Sequence, residues 1–452
     1  MSEPRAEILQ AKEDKRERLS LRELFFLSFG GQAPLISLLT FGTAMVILAG
    51  EAAPLAMLIA TAVVSINGLV VYFMSRRFKR GGGYYVYAYY SLTPNLGLNA
   101  GWTYVAYAIA YGGTLLAGGA YVLQQGVGNV VPQWAFALLV SSAAATVVML
   151  GIRYSAKYAE AVSIAEMIII VTLSVVFLRD SGWRLYDPFR FGLSSTLLAA
   201  TLLGLGIPTG YGSIAPLGGD AESRSIGKAA IMVVLYGGLL ASLFLYSLEA
   251  MKFSGNLVEY SLHRFGLYSL VPLAIIAIND GALGGVSYML ALSRTIEAMA
   301  LDGYMPRSLS ARARGRPLYA EAMAAALFVA VLTLLAYRLG LFYTFVALGS
   351  LAGMFNLFIH SSANFSLARL SARRALKHLH ELIIGLLGAS LSIFVLLYSL
   401  PSVNKYVVYV FMGWIILGFF YAEILDMLGS ERPGRRSISR NPVRGHLGRA
   451  RV

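Results

Sequence analysis

The sequence predicts an all-α integral membrane protein of twelve transmembrane helices, arranged as a 5+5 inverted repeat with two helices appended at the C-terminus. Three observations predict it. The 452-residue chain is 57% hydrophobic and only 13% charged, with a mean hydropathy of +0.66, values outside the range of ordinary soluble proteins. Its apolar stretches, each about 20 residues long, are the right length to cross a bilayer as helices. Two of them, five spans apart, are interrupted by glycine and proline. An odd offset means that they cross in opposite directions, which is the mark of an inverted repeat.

Residues 1–22 form a charged tail, too polar for a cleavable leader. The membrane region covers 23–428, with repeat one at 23–178, repeat two at 193–367 and the appended helices at 382–428. Residues 429–452 are rich in arginine, glycine and serine, a composition expected to stay disordered. Span one is Phe25 to Gly50, and span two Pro54 to Ser75. A basic turn and GGGYYVYAYYSL follow, read as a short interfacial helix because tyrosine suits the headgroup region. Spans three to five run over Leu98 to Gln124, Trp134 to Gly151 and Lys157 to Leu178. Span six starts near Leu193, and spans seven to twelve fall near 228–250, 269–300, 318–337, 342–367, 382–400 and 405–428.

Of the 37 Lys and Arg residues, 30 fall in alternate loops beginning with the N-terminal one. By the positive-inside rule both termini are cytoplasmic, in a multi-pass protein of the cell membrane. The net charge of +14 therefore reflects topology rather than a nucleic-acid surface.

Span one carries Gly30, Gly31 and Pro34 a third of the way along. Span six carries Gly204, Gly206, Pro208, Gly210 and Gly212. Glycine is costly in a helix interior, and proline removes a donor and clashes with the preceding turn. Each span then reads as two half-helices joined by unwound backbone, with a simple proline kink as the alternative. Freed backbone groups in a membrane must be satisfied by protein, water or ligand. The N-terminus of a half-helix suits a carboxylate, and a carbonyl end suits an ammonium group.

Four stretches are similar to those of the amino acid–polyamine–organocation transporter superfamily. They are the interrupted span one, RGGGYYVYAYYSLTPNLGLNAGW at 80–102, LGGDAESRSIGKA at 217–229 and SRTIEAMALDGYMPRSL at 293–309. The resemblance implies an amino acid permease with the fold named after a bacterial leucine transporter. It implies that Gly30, Gly31, Gln32 and Ala33 take the substrate carboxylate, and that Ile207, Thr209, Gly210 and Tyr211 take the amino group. Matched to the family's arginine–agmatine antiporter, Tyr107, Ala108 and Gly112 of span three and Tyr288 of span eight would face the substrate. The acidic residue that many members carry after Gly-Phe in span six is absent here, where the chain reads Gly210-Tyr211-Gly212.

Glu166 lies nine residues after Lys157 in span five, roughly 14 Å into the membrane. An ionisable group at that depth is a functional candidate. By resemblance, proton-coupled members place a lysine near this point where others hold sodium, so Glu166 is a candidate coupling residue. A protonated glutamate bonded to a neighbouring helix is the alternative. Asp280 and Ser287 of span eight are further coupling candidates, with helix packing as the alternative for each. Glu297 follows Arg294 by three residues and can pair with it. His360 and Asn67 are assigned to packing.

The chain has no cysteine, no GxxxxGK[ST] motif and no clustered catalytic side chains in its spans, so ATP-driven pumping and enzymatic chemistry are not expected. The expectation is secondary active transport of an amino acid or related amine by alternating access, as proton-coupled symport or exchange. A polyamine or other organocation carrier, or a transporter-like solute sensor, is the alternative. The expected partners are a small-molecule substrate and membrane lipids. No cofactor is expected beyond the coupling ion, a proton or sodium. The oligomeric state is left open.

Overall fold

The computed structural model describes residues 18–430 except 129, 193, 254–263, 265, 267–269 and 314. Most of both expected tails and the expected start of span six at Leu193 lie outside the described residues. Among the described residues the chain is helical, with two isolated β-bridges and no strand. Nine helical stretches there are long and apolar enough to cross a membrane.

Helix α1 (Leu21–Gly30) starts inside the stretch expected to be tail. A reciprocal cap fixes its first turn: Ser20 Oγ accepts from Glu23 N at 3.2 Å, and Glu23 Oε2 accepts from Ser20 N at 2.8 Å. The break follows at Gly31–Ala33, where Ala33 adopts a left-handed conformation (φ 43°, ψ 67°). Pro34 restarts the helix as α2 (Pro34–Ser37). A π-helical turn (Leu38–Gly42) then leads into α3 (Thr43–Ala49). The sequence gives no sign of that turn, because glycine in a helix marks only a weak point, not the hydrogen-bond pattern that replaces it.

Next come α4 (Ala53–Arg77), the short α5 (Tyr84–Ser91), α6 (Pro94–Val127), α7 (Gln133–Leu150) and α8 (Ile152–Asp180). The second broken segment starts as α9 (Ser195–Gly204). It unwinds, then continues as two 3-10 turns, Gly210–Ser213 and Ala215–Gly219, rather than as a second α half-helix. After it come α10 (Ser223–Ala250), α11 (Leu270–Leu301), α12 (Leu318–Leu339), α13 (Leu341–Ala372), α14 (Leu379–Ser399) and α15 (Lys405–Ser430).

The closest pairings are α6 with α11, α4 with α10 and α13 with α6, while α1 lies against α8 and α10. Both broken segments are thereby enclosed. The tyrosine-rich α5 departs from the interfacial expectation: Tyr84, Tyr85 and Tyr87 are buried. Gly82 and Gly83, with φ of +105° and +47°, turn the chain sharply there. A Cβ on Gly83 would lie 2.8 Å from the backbone of Ala215 and Pro216, so α5 tucks under the 3-10 segment.

A charged layer closes the end of the bundle where Leu19 N donates to Asp220 O at 2.8 Å. Buried Arg294 pairs with Asp220 and, at 2.8 Å, with Glu321. Glu297 pairs with Arg312 at 2.6 Å. The expected Arg294–Glu297 pair is therefore replaced by longer-range partners, which reach the Arg294 guanidinium from the turn after Gly219 and from α12. Arg80 bonds Asp302 at 2.8 Å. Burial alone would lower the Arg80 pKa, but the Asp302 hydrogen bond and charge raise it above its usual value.

Candidate functional site

The two breaks meet backbone to backbone. A Cβ on Gly31 would lie 2.7 Å from Ser213 Oγ and 3.2 Å from Gly210 O. One on Gly210 would run into Ser28 O and lie 2.6 Å from Gln32 N. Side chains here would push the segments apart, so the glycines are explained first by mutual contact. Gly30 faces Leu283 of α11 in the same way.

Not every residue of the breaks points at the same space. Gln32 turns toward α10, donating from Nε2 to Val233 O at 3.1 Å. Tyr211 turns toward α13, its hydroxyl 3.2 Å from His360 Nε2. Ile207 and Thr209 are buried at the break.

A wall of tyrosines covers the junction. Tyr107 and Tyr288 share a hydrogen bond at 3.0 Å, and a Cβ on Gly212 would touch both hydroxyls, at 3.1 and 3.4 Å. Gly112 lets α6 and α11 close: a Cβ there would lie 2.9 Å from Tyr288 Cβ. Ala108 is buried in the same core as Tyr107. Two further tyrosines join them. Tyr104 donates to Gly212 O at 2.8 Å, and Tyr111 lies 3.1 Å from Gly206 O and 2.7 Å from Thr209 Oγ1. Residues 104, 107 and 111 fall at i, i+3 and i+7, one face of a helix, and that spacing could have found them.

On the other side lie the acids. Glu166 of α8 is 1% exposed and Asp280 of α11 is 0% exposed. Their carboxyls are near enough for each charge to act on the other. Asp280 Oδ2 accepts from Ile36 N at 2.8 Å, at the start of the helix that restarts after the break. Asp280 Oδ1 and both Glu166 oxygens are buried, and the two carboxyls lie within hydrogen-bonding reach of each other once either is protonated. Ser287 Oγ lies 2.9 Å from Leu27 O and 3.0 Å from Leu283 O, tying α11 to the last turn of α1. Asn67 accepts from Asn364 Nδ2 at 3.0 Å, a helix–helix contact as expected. Among the described residues no group of three His, Asp or Glu side chains could hold a metal ion.

The two unwound segments thus meet inside a bundle of helices long and apolar enough to cross a membrane. The sequence model of the amino acid permease family matches residues 23–421. The chain belongs to the amino acid permease family. It is also 29% identical over 285 residues to uncharacterized transporters of Mycobacterium bovis and of two Mycobacterium tuberculosis strains. The match covers 58% of this chain and 61% of those proteins, so this permease-family chain aligns with less than two thirds of their length. The family is described as amino acid permeases, and these relatives as transporters.

Proposed function

We propose that the protein is a secondary active transporter of an amino acid or related amine, working by alternating access in the cytoplasmic membrane. In this reading twelve crossings form two inverted five-helix repeats plus α14 and α15, with both termini in the cytoplasm. The carrying observation is the contact of the two broken segments at Gly31 and Gly210. Regular helices would leave no unwound backbone at the bundle centre, and packing alone does not require two such breaks to meet. Substrate would bind between the breaks and the tyrosine wall, and opening either end would require one repeat to rock against the other.

The coupling ion in this reading is a proton. Two adjacent buried carboxyls resist simultaneous ionisation, and one proton is enough to relieve them. Ser287, fixed between α1 and α11, would transmit the state of that pair to the first break. The test is uptake into proteoliposomes of purified protein under an imposed pH gradient, across a panel of amino acids and amines. The expected result is accumulation of at least one solute that collapses when a protonophore is added. Accumulation indifferent to the protonophore would reject proton coupling, and no accumulation of any solute would reject the transporter reading.

A further inference from the structure

The charged layer around Asp220 divides its basic side chains into two sets. Arg80, Arg294, Arg312 and Arg316 are matched with acids, namely Asp302, Asp220, Glu297 and Glu321. Arg18, Lys79 and Arg224 are not: among the described residues none of them has an ion-pair or hydrogen-bond partner for its side chain. These three converge on one surface cavity of about 390 Å³, where Glu222 is the sole acidic lining residue. That volume falls in the range of small-ligand sites, roughly 300–1,000 Å³.

The cavity is assembled from three separate parts of the chain. Arg18 precedes α1, Lys79 lies in the turn between α4 and α5, and Arg224 stands at the start of α10. Gly218 and Gly219, the last residues of the second broken segment, line it as well. Backbone contacts pin these parts together: Leu19 N donates to Asp220 O at 2.8 Å, and Gly82 N to Pro216 O at 2.9 Å. A Cβ on Gly218 would run into Arg80 O, so this wall has no room for a side chain. The backbone around the cavity is fixed, while the three basic side chains that line it stay exposed.

Like charges gathered around one cavity repel, and an anion relieves them. Two guanidinium forks match phosphate oxygens in pairs, and the ammonium of Lys79 adds a point charge. Three cations less one carboxylate leave two positive charges, close to the charge of a phosphate monoester, roughly −1.5 to −2. We propose that this cavity binds a phosphate group, carried either by an anionic lipid headgroup or by a free phosphate. Basic pockets on the cytoplasmic side of membrane helices take lipid headgroups, and charge asymmetry assigns this end to that side. A phosphate held here would join the N-terminal segment, the α4–α5 turn and the start of α10 across the end of the second broken segment. Its three cations belong to no pair of the charged layer, so binding breaks none. The site does not depend on what the protein carries, and it stands or falls apart from the transporter reading.

Thermal unfolding of the full chain in a neutral detergent tests this. The probes are inorganic phosphate and dioctanoyl phosphatidylglycerol, with dioctanoyl phosphatidylcholine as the lipid of no net charge. At least one anionic probe should raise the melting temperature along a saturating curve, and the glycerol lipid should do so only beyond any effect of the choline lipid. Half-saturation by the glycerol lipid at about a tenth of the phosphate concentration or less assigns the site to a headgroup, and any higher ratio to free phosphate. Lys79→Gln and Arg224→Gln should each raise the half-saturating concentration about tenfold, as expected for one lost charge-assisted contact, and Lys79→Arg should keep it low. Both side chains are exposed and unpaired, so neither change should move the melting temperature without ligand. Should one of these variants fail to fold, Arg18→Gln, placed before α1, gives the same reading. Phosphate also stabilises proteins by exclusion from their surfaces, but that effect does not saturate and ignores these substitutions. The proposal is overturned if phosphate gives no saturating shift and the glycerol lipid none beyond the choline lipid. A saturating shift that is undiminished in the Lys79→Gln, Arg224→Gln double variant would overturn it too.

Discussion

At the scale of single residues, the phenol pair Tyr107–Tyr288 shows how tightly the tyrosine wall is specified. Both side chains are fully buried and each is the other's partner at 3.0 Å. Removing one hydroxyl leaves the other desolvated and unpaired, a loss of about 1–3 kcal/mol, while removing both leaves no orphan. Tyr107→Phe and Tyr288→Phe should therefore each lower the melting temperature in detergent, and the double variant should lose less than the sum of the two. Strict additivity would show that the hydrogen bond contributes nothing beyond two separate tyrosines. Residue positions of this kind were partly legible beforehand. Tyr107 and Tyr288 came from resemblance, and Glu166 from its depth in span five together with the same resemblance. The capping of Ile36 by Asp280 was not legible, because the two lie 244 positions apart and only the folded chain brings them together. His360, assigned to packing, does pack, but its ring nitrogen also faces the Tyr211 hydroxyl at 3.2 Å.

At the scale of elements, the breaks were legible because glycine and proline act locally on the backbone. What each break becomes was not, since a π turn, a 3-10 segment and a left-handed alanine are all settled by neighbouring helices. The glycines of the second break differ sharply in what surrounds them. A Cβ on Gly210 would collide with Ser28 O, whereas one on Gly206 meets nothing nearer than Leu203 O at 3.5 Å. Gly210→Ala should cost about 1–3 kcal/mol through overpacking. Gly206→Ala should change stability by less than about 0.5 kcal/mol. Thermal unfolding of the two variants side by side measures the difference. Equal melting temperatures would mean that the segments can separate cheaply and that their contact at Gly210 is not fixed.

At the scale of the whole molecule, the remaining question is which way the bundle lies in the membrane, and charge asymmetry answers it as an expectation. Basic loops resist translocation, so the loops richest in Lys and Arg stay in the cytoplasm. The 3-10 turn after α11, Arg307–Ser310, belongs to a connection that also carries Arg312 and Arg316. The connection between α8 and α9 belongs to the alternate set, which holds only 7 of the 37 basic residues. Ser308 and Leu185 are exposed in these two connections. The chain has no cysteine of its own, so a single introduced thiol reports without background. Ser308→Cys in intact cells should resist a membrane-impermeant maleimide and react only after permeabilisation. Leu185→Cys should react from outside without permeabilisation. Three crossings separate the two positions if α9 to Gly219, α10 and α11 each traverse the bilayer, and an odd number puts them on opposite faces. Labelling of both from the same side would mean that one of these segments fails to cross. The broken α9 to Gly219 segment would be the first suspect, since it is the shortest of the three and its far half is wound as 3-10 turns. That result would remove the basis for pairing it with the first break as an inverted repeat.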